Sequence, residues 1–335
     1  MILKNKTIAN LSFFGAFITL IVISVGAWVR LTDAGLGCPD WPGCYGMLTS
    51  PDTDKEISEA QTLFPNSTID IGKAWREMFH RYLAGFLGLY VILLSYLTIK
   101  NMNDSSIILP LAIVLLIIIQ SLMGMLTVTQ LVKPTIVTIH LLLGMITASL
   151  IMWNGLIFLD YQKDSQNNDR FLIILVIICI FALIIQIFLG GWTSTNYASL
   201  ACNDFPRCLN QWWPAEMNFN NAFSIFNLPN INYEGGYLDY NSKLAVHFTH
   251  RIGALILAIL LLKLFIYIYF FQSNALYKKI AIFIFIFFVI QIFLGISNIL
   301  YSLPISIAIL HTVNASILLM SMITLLYYST YSIRK

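Results

Sequence analysis

The sequence predicts an all-α polytopic membrane protein, with eight transmembrane helices arranged as two four-helix bundles related by a parallel internal repeat. Three observations carry this. The 335 residues are 58% hydrophobic and only 10% charged, with a mean hydropathy of +0.79, whereas charged residues make up about a quarter of an ordinary soluble domain. Apolar runs reach the ~20 residues a helix needs to cross a hydrocarbon core. A set of histidines, cysteines, arginines and glutamines also recurs at near-constant spacing in the two halves.

Taken in order, the spans are Leu11–Leu31, Trp75–Ile99, Ile107–Gln130, Thr135–Leu159, Phe171–Thr193, Lys243–Phe271, Ile280–Tyr301 and Ile305–Tyr328. The first run lacks a convincing cleavage site and reads as a retained helix. Two connections are long, Thr32–Ala74 and Ser194–Ser242, and both follow odd-numbered spans, so they emerge on one side. Lys4, Lys6, Lys100, Lys163, Arg170, Lys278, Lys279, Arg334 and Lys335 crowd the other side, while acids such as Asp40, Asp70, Asp204 and Asp239 lie in the long connections. The positive-inside rule then places both termini in the cytoplasm and both long loops outward. With no transit peptide in evidence, a bacterial inner membrane is expected. The net charge of +3 is spread without a basic cluster, so nothing points to nucleic acid.

The repeat divides the chain into residues 1–160 and 171–335. Cys38 and Cys44 match Cys202 and Cys208; His80-Arg81 matches His250-Arg251; Gln120 matches Gln291, and His140 matches His311. Each half holds four spans, an even number, so the halves share one orientation and are related by an axis along the membrane normal.

Four of the five histidines form these pairs. Each follows the start of an outside-to-inside span by five to seven residues, roughly 8–10 Å below the outer surface at ~1.5 Å per residue. His80 is expected to face His140 across one bundle, and His250 to face His311 across the other. Bundle cores are where metal cofactors are held, and two facing imidazoles without a cysteine cluster or paired carboxylates favour haem over zinc or a di-iron centre. Arg81 and Arg251, next to the ligand candidates and near the interface, are placed to pair with haem propionates. A single buried histidine would more simply bond a neighbouring helix; four at one depth, duplicated with their neighbours, argue against that. His247 has no histidine counterpart in the first half, and a structural and a tuning role stay open for it. Cys179 reads as core packing.

The cysteine pairs Cys38–Cys44 and Cys202–Cys208 lie in outward loops, where disulfides form and persist. Each is expected to close. Two readings stand side by side: staples over the bundle mouth, or, for a short exposed Cys38–Cys44, a redox-active pair. The halves differ three residues before the first histidine, where Glu77 stands against His247. One helical turn from a ligand, an acid can orient it or exchange protons with a substrate; the plainer alternative is an interfacial carboxylate paired with Arg76, Lys73 or Arg81.

These residues together resemble the haem A synthase family over essentially the full chain: GAWVRLTDAGLGCPDWPGCYG after the first span, Glu77-x-x-His80-Arg81, His140, the second cysteine pair, His250-Arg251 and His311. The closer match is to the subtype with a cysteine pair in each long loop. The resemblance implies an oxidoreductase that takes the C8 methyl of haem O to a formyl group through hydroxylated intermediates, giving haem A. It implies His80 and His140 as ligands of the substrate haem, His250 and His311 as ligands of a haem b, Glu77 as the catalytic acid, and Cys38–Cys44 as a loop disulfide for which a redox role has been proposed. Partners in keeping with this are membrane lipid, an upstream haem O synthase (a protohaem farnesyltransferase), an electron partner the residues do not name, and a second copy of the chain. The alternative is a bis-histidine dihaem electron carrier of the cytochrome b or b561 kind, which the histidines alone would suit equally well.

Overall fold

A computed structural model describes residues 5–102, 107–159, 169–226 and 228–331; Lys4, Lys163, Arg334 and Lys335, assigned above to the cytoplasmic side, lie outside the described residues. Their named elements are all helices, with no named strand among the described residues: α1 (Asn5–Leu31), α2 (Asp54–Leu63), α3 (Ile71–Asn101), α4 (Ile108–Thr129), α5 (Pro134–Ile157), α6 (Arg170–Thr195), α7 (Phe219–Ala222), α8 (Tyr240–Phe271), α9 (Ala275–Leu300) and α10 (Ile305–Tyr331). Eight are long and apolar enough to cross a membrane, and they correspond one for one to the expected spans.

The edges differ where a polar cap, rather than the end of apolarity, sets the boundary. Helix α3 starts four residues before the expected Trp75, because the Asp70 carboxylate accepts from the Lys73 N–H at 2.9 Å. Helix α8 likewise starts at Tyr240, with Asp239 accepting from the Ser242 N–H at 2.9 Å and its hydroxyl at 2.7 Å. Each carboxylate satisfies an N-terminal donor and complements the helix dipole. His80 and His250 therefore lie about one turn further from their helix starts than the even-depth estimate supposed, because α3 and α8 project into the long connections. The short α2, closed by a capping box of Thr53 and Glu56, was read as loop; its low apolarity hid it.

Helix α1 packs on α3 and α5, and α4 closes the ring between α3 and α5; in the same way α6 packs on α8 and α10, and α9 closes the ring between them. Contacts between the two sets run α5 to α10, α1 to α10 and α5 to α6. Helix α3 shows how the sequence sorts its faces. Leu87, Val91, Leu94 and Thr98 recur at helical spacing and are buried, while Phe86, Leu89, Leu93 and Tyr96 on the opposite stripe are exposed, as suits lipid. Where α1, α3 and α5 meet, the Asn154 amide donates to Ser12 Oγ (2.9 Å) and Thr98 Oγ1 (3.0 Å). Interhelical bonds of this kind contribute about 0.6–2 kcal/mol in a membrane.

The loop ends also join the two sets. Arg30 donates to the Ser194 carbonyl at 2.6 Å, Tyr197 donates to Asp33 at 2.5 Å, and Lys73 pairs with Glu234 at 2.9 Å. Arg30 and Ser194 are repeat equivalents, as are Asp33 and Tyr197, so the bonds run between matching positions at and just beyond the ends of α1 and α6.

Candidate functional site

Each long connection begins with a disulfide loop. Cys38–Cys44 and Cys202–Cys208 are both bonded, each loop contains a cis X-Pro bond at Trp41-Pro42 or Phe205-Pro206, and each closes through paired backbone bonds, Cys44 with Met47 and Cys208 with Gln211. An aspartate anchors each turn. Asp40 accepts from the N–H of Tyr45 (2.6 Å) and Gly46 (2.9 Å), and Asp204 from Leu209 (2.7 Å) and Asn210 (2.8 Å). Desolvation is the largest single influence on the Asp204 carboxyl and pushes it up, but the donors from Asn210, Leu209 and its own N–H, with the charge of Arg251, together outweigh it and hold the group below the usual carboxylate range.

The loops are not free flaps. Cys38 and Cys44 are both 0% exposed, which corrects the expectation of an exposed pair: the sulfurs pack under the loop against Ala74 and Met78 of α3. Gly37 permits this approach, since a Cβ there would stand 2.7 Å from the Ala74 nitrogen. Beneath the loop lies Glu77, 5% exposed. One carboxylate oxygen accepts from the Cys38 N–H at 2.9 Å and the other from the Arg81 guanidinium. Arg81 in turn donates to the carbonyls of Asp40, Pro42 and Gly43.

The second half repeats this geometry with different chemistry. For His247, 4% exposed, the Cys202 N–H lies 3.2 Å from Nδ1 and the Arg251 guanidinium 3.3 Å from Nε2; a neutral imidazole accepts at one nitrogen only, so its tautomer selects one of these two donors. Arg251 also reaches the carbonyls of Arg207 and Cys202, both at 2.8 Å. Glu77 and His247 thus hold the same post, a carboxylate with two oxygens in one half and a neutral-capable imidazole in the other. Of the three cations considered for Glu77, Arg81 is the partner; Lys73 pairs with Glu234, and Arg76 donates to the Gly72 carbonyl and lies over Trp28. Both ligand-adjacent arginines are engaged by loop carbonyls. Replacing Arg81 with lysine removes the planar fork that spans these acceptors, so the Arg81→Lys variant should have Cys38–Cys44 reduced several-fold faster by a soluble phosphine, as read by mass tagging; an unchanged rate would contradict the clamp.

One turn below Glu77 and His247 stand the four histidines. His140 lies within electrostatic reach of His80, and His250 within reach of His311. Each imidazole faces a glycine on a neighbouring helix. A Cβ built on Gly26 would stand 2.9 Å from His80 Cε1, on Gly124 3.7 Å from His140, on Gly190 3.2 Å from His250 and on Gly295 3.2 Å from His311. These glycines obey the repeat, Gly26 with Gly190 and Gly124 with Gly295, a recurrence whose meaning shows only once the opposing rings are in place. Nδ1 of His80, His140 and His311 is buried without a hydrogen-bond partner, an arrangement that is costly in a low-dielectric interior unless the ring serves another group. Paired imidazoles in glycine-walled cradles fit a flat macrocycle bound at its two axial positions. Among the described residues no three His, Cys, Asp or Glu side chains gather as a metal-ion site, so a zinc centre has no ligand set there.

The chain matches the family described as "Cytochrome oxidase assembly protein" over residues 9–323. It is 44% identical over 314 residues to the haem A synthase of Shewanella oneidensis, covering 92% of this chain and 93% of that one. It is 28% identical to the haem A synthase of Rickettsia felis, covering 95% and 96%, and 25% identical to that of Shouchella clausii, covering 78% and 76%. A family match that spans nearly the whole chain, and a relative this similar along both lengths, agree with the duplicated histidine cradles and loop clamps: the chain belongs to the haem A synthase family of cytochrome oxidase assembly proteins.

Proposed function

We propose that this protein is a haem A synthase: an oxidoreductase of a multi-pass membrane chain that oxidises the C8 methyl of haem O to a formyl group. The observation that carries the reading is the pairing of two matched histidine cradles with one unmatched acid, Glu77, at the post His247 holds in the other half. Two identical electron-carrying sites would give no reason for that difference.

In this reading His80 and His140 hold the substrate haem in residues 1–160, and His250 and His311 hold a resident haem b in residues 171–335. A haem b bound there supplies one-electron redox chemistry. The chain's own contribution is position and charge. The glycines opposite the imidazoles leave flat space for the ring. The disulfide loops, clamped by Arg81 and Arg251, cover the bundle mouths and restrict water. Glu77, one turn from His80, is the only carboxylate on α3 below its cap, and it is placed to take up a proton released as the methyl is oxidised. The isoprenoid tail of haem O is apolar and suits entry from lipid between helices. Arg81 and Arg251 act mainly through the loops they hold.

The lysines and arginines between spans favour cytoplasmic termini and outward loops in a bacterial inner membrane. After reduction, Cys38 and Cys202 should react with an impermeant maleimide from the outer face of intact spheroplasts; labelling only after lysis would overturn that orientation. The function itself is tested by expressing the chain in membranes that make haem O but no haem A. Haem A should appear on extraction, and haem O persisting unconverted would refute the proposal.

A further inference from the structure

The histidines are not equally braced. Three of the four have a glutamine from the preceding transmembrane helix whose amide donates to the histidine's backbone carbonyl: Gln120 to His140 at 3.1 Å, Gln186 to His250 at 3.0 Å and Gln291 to His311 at 3.1 Å. In the second half the amide also meets the ring: Gln186 Nε2 lies 3.0 Å from His250 Nδ1, and Gln291 Nε2 lies 3.3 Å from His311 Nε2. The residue in register with Gln186 in the first half is Val22, so His80 has neither bond. A second position differs with it. Gly253 leaves the space that Gln186 Oε1 occupies, so a Cβ there would collide with it; the residue in register with Gly253 is Leu83.

The second brace differs too. Gln291 Oε1 accepts from Asn314 at 2.6 Å, and the same Asn314 amide donates to the Phe287 carbonyl at 2.9 Å. In register with Asn314 stands Leu143, and Gln120 Oε1 is buried without a partner. The second half thus carries a glutamine amide on the backbone carbonyl of each histidine, and Asn314 completes Gln291, although Gln186 Oε1, like Gln120 Oε1, has no hydrogen-bond partner; the first half leaves His80 without such an amide and gives Gln120 no asparagine. In a membrane interior such a bond lacks competition from water, so each added amide contact helps to fix the histidine that bears it.

We propose that Gln186, lodged against Gly253, is a positioning residue that makes His250 a retaining haem ligand, and that its replacement by Val22 and Leu83 lets the haem at His80 exchange. This rests on the assignment of a resident haem to the second half, and it gives a physical reason for the division of labour: a cofactor must stay, and a product must leave.

The test uses the purified full chain carrying haem b, with haem transfer to apomyoglobin and the low-spin electron paramagnetic resonance signal as readouts. Gln186→Met keeps the volume and removes the amide. It should lose haem b at least tenfold faster, equivalent to about 1.4 kcal/mol, with a shifted low-spin signal. The reciprocal Val22→Gln/Leu83→Gly variant should slow haem release from the first half by a similar factor, which keeps the proposal falsifiable if the first variant folds poorly. Wild-type transfer rate and spectrum in Gln186→Met, with haem b lost from His250→Ala, would overturn the brace alone. Full haem b retention by His250→Ala would overturn the ligand assignment beneath it.

Discussion

Replacing Glu77 with glutamine should abolish most haem A formation while leaving haem binding nearly intact. Glutamine keeps an oxygen to accept from the Cys38 N–H, so the loop retains an anchor. What it loses is the charge facing Arg81 and the capacity to take a proton. General acid–base groups contribute about 10²–10⁴-fold, so conversion should fall by that order while the bis-histidine spectra persist. Alanine is the less informative change. It strands the Arg81 guanidinium, whose side chain is only 12% exposed, and uncoupling a buried pair costs about 3–5 kcal/mol; the loop would lift and activity would fall for a structural reason. Wild-type haem A yield from Glu77→Gln would remove Glu77 from the chemistry and leave it as the clamp's anchor.

The second large effect is expected at the other pair. His250→Ala and His311→Ala should each cost the low-spin haem b signal, because an iron left with one axial imidazole becomes high-spin or dissociates. Each truncation also leaves a hole facing Gly190 or Gly295, so histidine-to-methionine variants make the cleaner pair: they refill the space and alter the ligand field instead of deleting it. A normal bis-histidine spectrum in either alanine variant would show that the iron is held elsewhere. His80→Ala should instead spare haem b and block conversion, which separates the two halves by phenotype.

Much of this was legible in the sequence because membranes simplify the problem. Spans must be long and apolar, and any histidine or charge within them stands out. The repeat then did what no single motif could, matching His80 with His250 and His140 with His311 and isolating Glu77 by its mismatch with His247. What the sequence hid was contact. Arg81 and Arg251 adjoin the ligand candidates, which suggested propionates; the fold adds loop carbonyls that each of them also reaches. The Cys38–Cys44 pair looked exposed because it sits in a polar connection, yet the clamp on Glu77 and Arg81 buries it. Gly26, Gly124, Gly190 and Gly295 escaped notice because an absent side chain leaves no pattern until the opposing ring is known. The register of Val22 with Gln186 was visible throughout, but it had no meaning until Gln186 was seen on His250.

The clamp also changes how the disulfide is understood. Glu77, Arg81 and the Cys38–Cys44 loop form one connected unit, so opening the loop and freeing the acid are the same event. A reductant reaches those sulfurs when the loop lifts.

The most direct measurement is the haem content of the purified chain, made with and without co-produced haem O, by acid–acetone extraction and chromatography. Haem A or its hydroxylated precursor beside haem b, appearing only when haem O is supplied, is the predicted result. Haem b alone in both sites, with haem O present in the membrane, would contradict a synthase and return the protein to an electron carrier.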